Sequence, residues 1–82
     1  MTPVGPFEAA RRALGLSVGD LWFRYFALGG MSTPIEVEAV LAEALVPSDH
    51  DHDLLAVALN ERSVELGGTP AIAYLGDDPR DP

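Results

Sequence analysis

Asp49, His50, Asp51, His52 and Asp53 follow one another without a break, and imidazole beside carboxylate is donor chemistry for zinc or nickel. Ligands on a helix share a face only at spacings of three or four, so His50 and His52 diverge while His50 and Asp53 align. Two ligands do not complete a tetrahedral site. The three aspartates have a cheaper use, because negative charge in a first turn favours the exposed N–H groups of a helix. The expectation is capping and no metal site, with no cofactor implied.

Other reactive chemistry is thin. Nucleophilic catalysis needs an activated Ser, Cys, Thr or Lys beside a base, and the chain has no cysteine and no lysine. Ser17, Thr33 and Ser48 sit where helix caps belong, and Ser63 falls inside a helical stretch. A phosphate cradle would need a glycine-rich loop of fixed spacing, and neither a P-loop nor a dinucleotide fingerprint is present. Gly29 and Gly30 ahead of Thr33 faintly suggest an anion site at a helix start, which Glu36 and Glu38 oppose. The expectation is a chain that is not an enzyme.

The elements that would position these residues are helices. Ser17 with Asp20, Thr33 with Glu36, and Ser48 with Asp51 each set a capping residue three positions ahead of an acid, and Pro34 fits the first helical position after Thr33. Gly15, Gly29 with Gly30, and Gly67 with Gly68 supply stops, and Pro47 separates the last two segments. This punctuation predicts helices over about 6–14, 18–28, 34–45 and 49–66. The fold class expected is all-α, a small compact bundle of three to four short helices with an extended C-terminal tail. Residues 1–75 form the single domain, in which 69–75 lies extended across the bundle or binds a partner, and 76–82 reads as a disordered acidic tail.

Binding chemistry is better represented than catalysis. Trp22, Phe23, Tyr25 and Phe26 crowd one helix, and at about 100° per residue the apolar arc from Leu28 round to Phe23 covers most of its circumference. Such a helix is either the centre of the bundle or covered on a second side by another chain. The third segment carries Glu36, Glu38 and Glu43 with no basic residue between Pro34 and Leu45, so these acids are a solvated face or a landing surface for a basic partner.

The chain has 82 residues and a net charge of −8, and 48% of it is hydrophobic, which is high for a core this thin. Holding a phosphate backbone needs several cations on one surface, and five arginines against 13 acids do not provide it. Leu14 to Leu45 has the outline of a helix-turn-helix, but its recognition position is glutamate-rich. No secretory leader or membrane span is expected, and the missing cysteine fits a reducing cytoplasm. All five cations are arginine, which together with abundant alanine suits a GC-rich, bacterial genome.

The function expected is therefore a non-catalytic interaction module, a small acidic regulator or adaptor. It would contact another protein or a second copy of itself, through the aromatic helix and the acids of the third. The alternative is a regulator with a degenerate helix-turn-helix, or an acidic mimic of nucleic acid that occupies a basic partner without touching nucleic acid directly.

Overall fold

Ser17, Thr33 and Ser48 open helices, as their spacing predicts: each accepts a hydrogen bond from the backbone N–H three residues on, from Asp20, Glu36 and Asp51 at 3.0, 3.2 and 3.1 Å. In the computed structural model, which describes residues 4–76 and 79, these caps start α2 (Val18–Ala27), α3 (Pro34–Leu41) and α4 (Asp49–Glu65). α1 (Pro6–Ala13) starts after Gly5 with proline in its first turn and no side-chain cap. The described residues contain no strand, and the fold is the expected all-α bundle.

One motif ends all four helices. The residue after the C-cap turns left-handed, and its N–H and the next one bond back to carbonyls of the last turn. Gly15, Gly29 and Gly67 occupy that position at φ of 69°, 98° and 85°. After α3 it is taken by Glu43, at φ 60°, with Glu43 N–H donating to Val40 O at 3.0 Å and Ala44 N–H to Ala39 O at 2.8 Å. A side chain in this conformation costs about 1–2 kcal/mol that glycine avoids. α3 accordingly stops at Leu41 instead of running to 45, and no glycine in the sequence announces the stop.

The packed pairs are α2 with α4, α2 with α3, and α1 with α4. α4 is the centre. Every residue from Asp53 to Asn60 is buried, because α1 and α2 cover two sides and the segment 69–76 returns along a third. The run Leu54 to Leu59 is apolar all round, as a helix without a wet face must be. Each fully buried Leu or Val there contributes roughly 1.5–3 kcal/mol of transfer free energy. Phe7 of α1, Leu16 between α1 and α2, Leu21 and Tyr25 of α2, and Val37, Val40 and Leu41 of α3 complete the core.

The returning segment is held by side chains of one stripe of α4. Ser63 Oγ donates to Thr69 O at 2.6 Å, and Asn60 accepts from Ala71 N–H and Ile72 N–H at 2.7 and 2.8 Å. Asn60 Nδ2 also donates to Ile72 O at 2.8 Å, and Asp53 accepts from Leu75 N–H and Gly76 N–H at 2.7 and 3.1 Å. Ile72 and Tyr74 rest on the core between these bonds. Gly76 is thus tied down, and the remainder of the tail expected to be disordered lies, Pro79 apart, outside the described residues.

Candidate interaction surfaces

The aromatic cluster of α2 divides into an inner and an outer part. Tyr25 is fully buried, which removes it from any contact surface. Its hydroxyl donates to Asp51 Oδ1 at 2.8 Å and accepts from the N–H groups of Met31 and Ser32 at 3.0 and 2.9 Å, so the α2–α3 turn is folded around the phenol. Ser32 Oγ donates to the other oxygen of Asp51 at 3.2 Å. Asp51 therefore does not reach back to close a capping box as its spacing suggests. A buried phenol with two donors aimed at it needs an acceptor for its own proton, and Asp51 is that acceptor.

Phe23 and Phe26 point outward, 66% and 55% exposed. Trp22 is half-buried, its Nε1–H donating to Ser32 O at 2.9 Å and its ring stacked on Phe26 with centroids 5.1 Å apart. Met31, beside that anchoring carbonyl, is 92% exposed. α2 is thus neither the central helix nor a fully wet one. Its inner side builds the core, and its outer side presents exposed aromatic rings.

The acids of the third segment also separate. Glu36 accepts from Thr33 N–H at 3.0 Å and is spent on capping α3. Glu38 and Glu43 are exposed, with no ion pair among the described residues. The described arginines are all engaged. Arg11 and Arg12 grip Glu8, whose carboxyl they hold down at about 2, and Arg24 forms a two-bond pair with Glu65 at 2.8 Å. Arg62 Nε donates to Leu14 O at 3.2 Å. The four described cations thus all have partners within the chain.

The Asp–His run disperses its donors. Asp53 is buried and committed to the returning segment and to His52, whose Nδ1 lies 3.0 Å away, while His50 is exposed. His52 packs edge-on against Phe7 with centroids 4.9 Å apart. Among the described residues no three His, Cys, Asp or Glu converge as metal ligands, and no helix is long and apolar enough to cross a membrane.

Asp53 makes the returning segment sensitive to acid. The N–H of Leu75, then the His52 contact and the N–H of Gly76, hold its carboxyl below the usual carboxylate range against the opposing pull of burial. A folded pKa below the unfolded value of about 3.9 means that this stabilisation is complete above that pH and is lost as pH falls through the folded value. In an NMR titration below about pH 4 the Leu75 amide should shift together with the Asp53 carboxyl. An amide indifferent to that titration would place the segment elsewhere.

Compared with known families, curated proteins and solved structures, the chain matches none.

Proposed function

We propose that this protein is a non-catalytic docking module of the cytoplasm that binds another protein through the outer face of α2. The observation behind this reading is the state of Trp22, Phe23 and Phe26. Two phenyl rings stand in water while the indole beneath is pinned by Ser32 O and by stacking on Phe26, so a partner would meet two of the three rings already held in place. Ordering side chains on binding costs roughly 0.5–1.5 kcal/mol each, and rings immobilised beforehand avoid much of it. A partner of different sequence is favoured over a second copy, because two chains of net charge −8 repel. Complementarity asks for an apolar patch with a basic rim.

A photo-crosslinking residue placed at Phe26 should give a discrete heteromeric adduct in the native cytoplasm, and the same probe at Val64, exposed near the end of α4, should not. Replacing Phe23 and Phe26 by serine should leave the helical signal intact and abolish partner recovery. If the folded double variant keeps the same partner, the α2 face is not the site. A dimer mass for the isolated wild type, lost in the double variant, would identify the partner as a second copy.

A further inference from the structure

A second surface lies where α1 meets the end of α3. Two hollows open there side by side, of about 450 and 300 Å³, and they share Gly5, Leu41 and Glu43. The larger is floored by Leu41 and Val18, and the smaller by Phe7, Val40 and the loop residues Leu45 and Val46, the last 90% exposed. α1 and α3 lean on α4 and α2 rather than forming a packed pair with each other, which leaves the cleft between them.

Glu43 sits at the junction of the two hollows. Its side chain lies so close against Gly5 that a methyl group there would overlap the carboxylate. It is also the one described non-glycine residue at positive φ, in a position where the other three helices place glycine. The fold tolerates that conformation and carries a carboxylate between a hollow lined largely by charged side chains and a mainly apolar one. Glu38 adds a second carboxylate at the rim, and neither forms an ion pair among the described residues. Arg11 and Arg12, which also line the larger hollow, are occupied by Glu8.

We infer that this cleft binds an amphipathic peptide segment of another protein, apolar side chains entering the smaller hollow beside Glu43 and a Lys or Arg meeting Glu43 and Glu38 along the larger one. This surface is separate from the outer face of α2 and stands or falls without it.

The test uses a fluorescein-labelled helical peptide with leucines on one face and arginines on the other, followed by anisotropy against the full chain. Two control peptides carry glutamate for arginine and serine for leucine. The leucine–arginine peptide should bind, and both controls should bind at least about tenfold more weakly, since charge and burial each contribute. Glu43→Gln combined with Glu38→Gln keeps the side-chain shapes and should weaken binding about tenfold at unchanged melting temperature. Phe26→Ser should bind as wild type does. The inference is overturned if the leucine–arginine peptide fails to bind, if the serine control binds equally well, if the double Gln variant binds like wild type, or if Phe26→Ser abolishes binding.

Discussion

Gly30→Ala should cost about 3 kcal/mol or more, the upper end of what overpacking a core exacts. A Cβ built on Gly30 would fall 2.2–2.4 Å from three atoms of the Tyr25 ring, and neither side can retreat. The ring is fully buried, and its hydroxyl is fixed by Asp51 and by the N–H groups of Met31 and Ser32. Moving the turn outward would break those bonds, and moving the ring would push it into Leu21 and the centre of α4. A domain of this size is stable by roughly 4–12 kcal/mol, so the loss is a large part of the whole. Its neighbour is a useful contrast. Gly29→Ala meets nothing within 4 Å and suffers only the strain of φ 98°, which is about 1–2 kcal/mol. Urea unfolding should therefore rank wild type above Gly29→Ala and Gly29→Ala above Gly30→Ala. If Gly30→Ala is as stable as wild type, Tyr25 does not pack where it is placed.

The difference between those two glycines marks where sequence reading stops. A glycine pair after an aromatic helix announces that the helix ends, because the cap and stop signals are local and act through the backbone of a few residues. The three Ser or Thr caps and the glycine stops were legible for that reason. That the second glycine is also the floor under a tyrosine ring is a tertiary fact, invisible without knowing that the turn folds back over α2. Asp51 shows the same limit. Its spacing from Ser48 fits a capping box, and half of it forms, but the buried Tyr25 hydroxyl is a more demanding partner for the carboxylate than one exposed N–H.

The surfaces were legible only in part. Concentrated aromatics pointed to α2, yet which ring faces inward depends on where α4 lies. The signal for α4 as the centre was available in the uninterrupted apolar run Leu54 to Leu59, longer and less interrupted by charge than anything in α2. For the acids, composition alone could not separate Glu36, spent on its cap, from Glu38 and Glu43. The early end of α3 had no sequence signal at all, since a glutamate in a left-handed turn looks like any helical glutamate.

Asn60→Ala should free the segment 69–76 from α4 while leaving the four helices in place. Asn60 is buried and forms three of the bonds that hold the segment, accepting from Ala71 and Ile72 and donating to Ile72 O, where alanine offers none. A buried backbone group left without a partner costs roughly 1–3 kcal/mol, but the total cannot grow to the sum of three such losses. Once that sum exceeds the free energy of docking, the segment swings out and its N–H and C=O groups find water. The expected loss is therefore capped at about 2–4 kcal/mol, and its character is local opening, not global unfolding. Hydrogen exchange at Ala71 and Ile72 should accelerate by orders of magnitude, with a smaller effect on Leu75, still held by Asp53. Helices α2 and α3, which touch none of these bonds, should exchange as in wild type. Ser63→Ala is the milder comparison, because its single bond to Thr69 O lies at the end of the segment next to the turn that anchors it anyway. Equal exchange at Ala71 and Ile72 in wild type and Asn60→Ala would mean that packing of Ile72 and Tyr74 alone holds the segment, and that the polar stripe on α4 is incidental to it.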